Sequence, residues 1–186
     1  MDSTGLNITG SVVIRNNRIY RNNEVIWETS EDQSLPDFLR AAYDHFSGQY
    51  PKFHKMDHLS KLGWLAAEVL LQHRPFTRYA PEQVGLILAN RSASLDTDLR
   101  YFDSIREFPS PALFVYTLAN IVMGEISIRH GFKGENAFFT SDTYDERLVM
   151  DYTRQLLHEG AVSAALCGWV EVMGSAYEVI LHQVEK

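Results

Sequence analysis

Apolar side chains at Leu6, Ile8, Val12 and Ile14 recur at mostly even spacing, and Ile19 and Val25-Ile26-Trp27 supply shorter runs. Even spacing places side chains on one face of a strand. Asn16-Asn17 and Asn22-Asn23, which tolerate turn backbones, separate the runs. Pro36 then predicts a helix to about residue 46, because proline fits a first helical turn, with Gly48 and Pro51 ending it. Between 56 and 71 the apolar residues Leu59, Leu62, Leu65, Ala66 and Val69 recur at three and four residues, an amphipathic helix. VGLILA (84–89) is a continuous apolar run, the mark of a strand buried on both faces. A polar helix over 95–105 follows. Ser110-Pro111 opens a helix that is apolar nearly all round and ends at Gly131, the pattern of a helix buried between other elements. GENAFF (134–139) reads as a short strand, and 144–159 as a helix stopped by Gly160. AVSAALCGWVEV (161–172) and AYEVILHQV (176–184) read as two strands joined by Met173-Gly174-Ser175. The alternation predicts an α/β fold: a mixed sheet layered with helices, including a buried central helix at 110–131. No repeat or low-complexity linker interrupts it, so residues 1–186 read as a single domain.

Composition narrows the function classes. The formal net charge of -7 argues against nucleic acid, whose binding depends on Lys and Arg neutralising phosphates. Lys52, Lys55, Lys61, Arg74 and Arg78 nevertheless cluster, opposed there only by Asp57 and Glu68; the simplest reading of such a run is a solvated face. One cysteine, Cys167, precludes an internal disulfide. The N-terminal stretch lacks the basic segment and apolar run of a signal peptide. The most apolar window, 112–128, carries Asn120 and Glu125 and is shorter than a membrane span. The expectation is a cytoplasmic protein with no membrane and no nucleic-acid partner.

Four strings, in order, carry a resemblance: HKMDHLSKLGWLAAEVLL, VGLILANRSASLDT, FPSPALFVYTLANIVMGEISIRHGFKGENAFF and GAVSAALCGWVEV. The first resembles a stretch in which a basic residue precedes Met-Asp at the head of a long helix. The second is similar to a strand and the turn after it. The third matches a Pro-x-x-x-x-x-x-x-x-Asn-x-x-x-Gly pattern, and the last a late strand ending near a Gly and a Glu. Their order and spacing resemble the N-terminal domain of the β-ketoacyl-(acyl carrier protein) synthases, over about 52–172. The resemblance implies half of a thiolase-like fold, of the kind found in chain-length-factor subunits.

The family's chemistry uses a cysteine thiolate just after the strand at 134–139, where a helix N-terminus favours negative charge and lowers a thiol pKa. Acyl transfer to that sulfur is nucleophilic catalysis, assisted by two histidines from the second half of the fold. Here the position falls on Thr143, or on Ser141 if the alignment slips by two, and neither is cysteine. Thr143-Tyr144-Asp145-Glu146 has the form of a capping box, which explains Thr143 structurally. A threonine nucleophile needs an adjacent base, and His158 lies at the far end of the same helix. No catalytic residue is therefore assigned.

The remaining candidates have plainer readings. Cys167 lies in an apolar strand and reads as buried core. His54 and His58 are four residues apart and could share a metal on a helix face; no third ligand falls at suitable spacing, so they read as solvent-facing or as lining a docking surface. Asp96, Asp98 and Asp103 form no calcium-loop pattern. No glycine-rich phosphate loop is present, and neither cofactor nor metal is expected.

The resemblance adds partners. In the family, basic residues ahead of Met-Asp help dock the acidic acyl carrier protein, which puts Lys52 and Lys55, with Lys61 one turn on, in a carrier-docking role. It also implies pairing across a two-fold axis through the strand near 134–139, with Phe138 or Phe139, whichever faces outward, in the contact. The expected function is a non-catalytic ketosynthase-like subunit of chain-length-factor type, partnering a full-length ketosynthase in fatty-acid or polyketide-type biosynthesis, with a homodimer as an option. The alternatives are a ketosynthase-like acyltransferase or condensing enzyme whose site a partner chain completes, and a carrier-binding module. Because the resemblance covers an N-terminal half, the surface covered by the second half in relatives is expected to seek a partner.

Overall fold

Three antiparallel strands open the chain: β1 (Asn7–Arg15), β2 (Arg18–Arg21) and β3 (Glu24–Glu28). Asn16, Asn17, Asn22 and Asn23 all have positive φ, between 50° and 70°. That is the tight-hairpin backbone whose twist matches the flanking strands, and asparagine adopts it at low cost. The computed structural model describes residues 6–46, 49–73 and 75–186. The helix stop expected at Gly48 and Arg74 of the basic stretch lie outside the described residues.

Helix α1 (Leu35–Phe46) starts where Ser34 Oγ accepts from Asp37 N–H at 3.4 Å, with Pro36 in the first turn. A 3-10 turn at Pro51–Lys55 leads into α2 (His58–His73). Then come β4 (Val84–Asn90), α3 (Leu95–Ile105), α4 (Pro111–Phe114) and α5 (Ile121–His130). The chain continues through β5 (Asn136–Thr140), α6 (Glu146–Glu159), β6 (Ala164–Met173) and β7 (Ala176–Glu185).

The strands form one seven-stranded sheet in the order β3-β2-β1-β7-β6-β4-β5. Strand β4 runs parallel to both β5 and β6, and the other pairs are antiparallel. Parallel neighbours need crossovers, so α3, α4 and α5 connect β4 to β5, and α6 connects β5 to β6. The two crossovers lie on opposite faces. Leu86 and Leu88 join the core formed with α2 and α5, whereas Ile87 and Ala89 join the core under α6. This accounts for the unbroken apolar run of β4, every residue of which is buried.

The expected continuous helix over 110–131 is not formed. It is broken into α4 and α5 by turns in which Tyr116 N–H donates to Leu113 O at 2.9 Å and Thr117 Oγ1 to Phe114 O at 2.7 Å. Such short-range bonds give the backbone an alternative to the helix ladder. Phe114, Val115 and Leu118 are 59%, 52% and 61% exposed, while Val122 and Ile126 of α5 are buried. The buried central helix is α2, in which twelve residues are inaccessible. Gly63 makes this packing possible, because a Cβ there would lie 2.5 Å from Val122 Cγ2 of α5. Among the described residues no helix is long and apolar enough to cross a membrane.

Candidate functional site

The C-terminal ends of β4, β5 and β6 meet at one edge of the sheet, the place where open α/β sheets present their loops to ligands. Asn90, the last residue of β4, is fully buried and folds the next loop onto itself: its Nδ2 donates to Ala93 O and its Oδ1 accepts from Ala93 N–H, both at 2.9 Å. Ala93 consequently takes φ 48°. From β6, Glu171 Oε2 accepts from the amides of Arg91 and Ser92 at 2.7 and 3.1 Å. Asn90 O also accepts from Ser141 N–H at 3.0 Å, tying the β4 loop to the segment after β5.

That segment carries the expected nucleophile position. Ser141 Oγ donates to Thr143 O at 2.7 Å, so the serine hydroxyl points its proton at a backbone carbonyl of its own loop. Thr143 is exposed and precedes the helix cap by two residues. The capping box expected there is not formed. Asp145 is the N-cap, its carboxylate accepting from Arg147 and Leu148 N–H at 3.0 and 3.2 Å. A carboxylate is a stronger acceptor than a hydroxyl and suits the positive end of the helix dipole, so it takes the position. His158 lies in the last turn of α6, about 18 Å along the axis from its start, and offers Thr143 no base.

Cys167 lies beneath α6, fully buried, with its Sγ 3.9 Å from Met150 Sδ. Burial pushes its thiol up to about 12, which leaves it protonated and unreactive at neutral pH. Beside it in the same core, Tyr144 packs 5.9 Å from Trp169, and burial raises the phenol's pKa.

The basic stretch is close by. The N-terminus of α2 abuts the first turn of α3. Asp57 Oδ1 accepts from Ser60 N–H at 2.9 Å, capping α2, while its Oδ2 accepts from Thr97 Oγ1 at 2.6 Å. His58 Nδ1 lies 3.7 Å from Asp96 Oδ2, and burial lowers its pKa. Asp96 Oδ1 accepts from Gly174 N–H at 2.9 Å, reaching the β6–β7 turn. His54 sits exposed on the 3-10 turn and His58 opens α2, so the two do not share one helix face. Among the described residues no group of three metal-ligating side chains comes together.

The three lysines have different surroundings. Lys52 Nζ lies 2.8 Å from Oε2 of the buried Glu125, a partner that sequence reasoning missed although Glu125 stood out in the most apolar window. Lys61 is partly buried 5.9 Å from the Phe53 ring, and burial lowers its pKa, with Arg100 adding to the effect. Lys55 is exposed.

Strand β5 is the last in the sheet, and its outer edge is unpaired among the described residues. Phe138 and Phe139, the residues expected at a subunit contact, are each partly buried on opposite faces of the sheet: Phe138 packs against the core formed with α2 and α5, and Phe139 lies 5.2 Å from Tyr152 of α6, edge to face. A side chain in a strand points above or below the sheet, so the edge itself offers mainly backbone. Leu86 N–H bonds Glu135 O, and Ser141 N–H bonds Asn90 O. By the alternation of a parallel ladder, Asn136, Phe138 and Thr140 therefore present their N–H and C=O groups to the open side. Phe102 of α3 is exposed, as are Phe114, Val115 and Leu118 on the α3–α5 crossover.

No family model matches the chain, and no curated protein matches it. Solved structures do. The ishigamide ketosynthase/chain length factor matches with TM-score 0.70 and 19% identity, over 96% of this chain and 61% of that one. The ketosynthase ApeO in complex with its chain length factor ApeC, from Xenorhabdus doucetiae, matches with TM-score 0.64 and 11% identity, over 97% of this chain and 79% of that one. A type II polyketide synthase acyl-carrier protein in complex with its ketosynthase, AntDE:AntF, matches with TM-score 0.66 and 14% identity, over 97% and 62%. The chain thus spans about three fifths of the length of two of these proteins. Over nearly all of its length this chain has the thiolase-like fold of the ketosynthases and chain length factors.

Proposed function

We propose that this chain is a non-catalytic ketosynthase-like subunit of the chain-length-factor type, acting beside a full-length ketosynthase in fatty-acid or polyketide-type biosynthesis. One observation carries the reading: the junction of β5 and α6 offers no activated nucleophile. Ser141 donates its proton to the Thr143 carbonyl, Thr143 stands exposed with His158 at the far end of α6, and the lone thiol is buried and protonated elsewhere. The unpaired edge of β5 and the apolar residues beside α4 support association with another subunit. That two of the structurally similar proteins are ketosynthases solved with chain length factors fits the same reading.

In this role residues 1–186 act as one ketosynthase N-terminal-like domain, and Lys55 with Lys61 receive the acidic carrier protein at the corner where α2 meets α3. The test combines two assays. The chain should co-purify with a ketosynthase from its own host. Alone, incubated with acyl- and malonyl-carrier proteins, it should yield no ketoacyl product and no mass increase from acylation. A product made by the isolated chain and lost in Thr143→Val or Ser141→Ala would establish the enzyme reading instead.

A further inference from the structure

We infer that Glu125 is an internal competitor for Lys52, and that it holds the basic corner at the start of α2 below the affinity for an acidic protein that its cations would otherwise give. The inference rests on the carrier-docking role proposed above and concerns how that corner is tuned. Lys52 and Lys55 lie three residues apart in the 3-10 turn Pro51–Lys55. Phe53 N–H bonds Tyr50 O at 2.9 Å and Met56 N–H bonds Phe53 O at 3.1 Å, which fixes the turn at both ends. Residues three apart eclipse one another in a 3-10 helix, so both lysines leave the turn on the same side. Lys61, with its ammonium 5.9 Å from the Phe53 ring, joins the first turns of α2 to them. Burial and, after it, the charge of Arg100 lower the pKa of both Lys61 and His58, so exposed Arg100 of α3 shares the corner.

The carboxylates beside these cations are used differently. Asp57 accepts from Ser60 N–H and Thr97 Oγ1, and Asp96 accepts from Gly174 N–H, so both fasten backbone and neighbouring helices. Glu125 comes from α5. Its Oε1 accepts from the Tyr116 hydroxyl at 3.1 Å, while its buried Oε2 faces Lys52 Nζ at 2.8 Å. The pair straddles the surface, with the Glu125 side chain 5% exposed and that of Lys52 43% exposed. An ammonium carries three donors, so Lys52 can meet an acid from the solvent side, but it does so with its charge already shared. Attraction of an acidic partner depends on the summed potential of the surface, and a carboxylate in contact with a lysine cancels most of what that lysine adds. Lys55, Lys61 and Arg100 therefore supply the steering field, and Lys52 is held back by Glu125.

The test measures dissociation constants of the full chain with an acyl carrier protein from its own host. Glu125→Gln keeps an acceptor for Tyr116 and removes the charge. It should tighten binding by about fivefold, the upper end of what one partly exposed charge contributes, and the gain should shrink with added salt. Glu125→Leu, which also lacks the charge, should tighten binding likewise. Adding Lys52→Met to Glu125→Gln should remove the gain, because the charge set free is that of Lys52. Unchanged or weaker binding in folded Glu125→Gln and Glu125→Leu, beside weaker binding in Lys55→Glu, would overturn the inference and leave the docking role standing. So would a gain that survives Lys52→Met. An affinity that none of these variants alters, Lys55→Glu included, would overturn the docking role and the inference with it.

Discussion

The ammonium of Lys52, a side chain 43% exposed, lies 2.8 Å from Oε2 of Glu125, a side chain only 5% exposed. The Tyr116 hydroxyl donates to the other oxygen at 3.1 Å, and burial together with Glu125 raises that phenol's pKa. The oxygen facing Lys52 has no well-aligned hydrogen bond, so the ion pair is what neutralises the buried charge. Lys52 is thus part of the fold before it is part of any docking surface.

Separate outcomes are expected for two lysines that look alike in sequence. Lys52→Met should destabilise the protein by about 1–3 kcal/mol, because it leaves Glu125 buried without its counter-ion. Lys55→Glu, at an exposed site, should shift stability by no more than about 0.5 kcal/mol yet weaken carrier-protein binding, with added salt weakening it in the wild type as well. Urea midpoints and carrier dissociation constants measured side by side check this. Equal stability loss in both variants would remove the distinction.

The free edge of β5 supplies a second prediction. Thr140 has an exposed side chain and points its N–H away from β4, so Thr140→Pro removes a donor from the edge without breaking the β4–β5 ladder. The variant should lose association with a ketosynthase, or with itself, in light scattering and pull-down, while far-UV circular dichroism stays the same. A charged residue at Phe138 or Phe139 should instead lower stability as well as affect assembly, since both rings are partly buried against the cores on either side of the sheet. Intact assembly in Thr140→Pro would show that subunits meet elsewhere.

Alkylation should reveal how deep Cys167 lies. With the thiol buried and held protonated up to about pH 12, native labelling at neutral pH should be slow, and it should become fast only in denaturant. Rapid labelling of the folded protein would contradict this placement.

Stability should fall on the acid side of neutrality. Burial lowers the pKa of His58, His182 and His130, the last to about 4 from its usual 6.5. Between those values the unfolded chain binds protons that the folded chain refuses. The stability contributed by the neutral rings is therefore complete above about pH 6.5 and lost as pH falls toward 4, with His130 accounting for on the order of 3 kcal/mol. Chemical denaturation across that window should show the decline, with a shallower slope in His130→Phe. A flat profile in the wild type would refute it.

Local chemistry determined most of the elements. Asn-Asn pairs set both hairpins, Pro36 and Gly160 mark the ends of α1 and α6, and the unbroken VGLILA run announced a strand covered on both faces. The four strings from 52 to 172, read together, pointed to the thiolase-like fold that the solved structures share. These features depend on spacing and backbone preference within a few residues, which a sequence displays directly. Tertiary structure decided what depends on neighbours distant in the chain. Residues 110–131 are apolar nearly all round, yet only α5 packs against the buried helix α2, and Gly63 permits that contact, while α4 lies against α3. Asp145 rather than Thr143 caps α6, because two acceptors within reach compete and the charged one prevails. Lys52 acquires its role only because folding carries Glu125 to it across 73 residues of chain. Phe138 and Phe139 are partly covered because helices pack on both faces of the sheet, while the outer backbone edge of β5 is unpaired among the described residues.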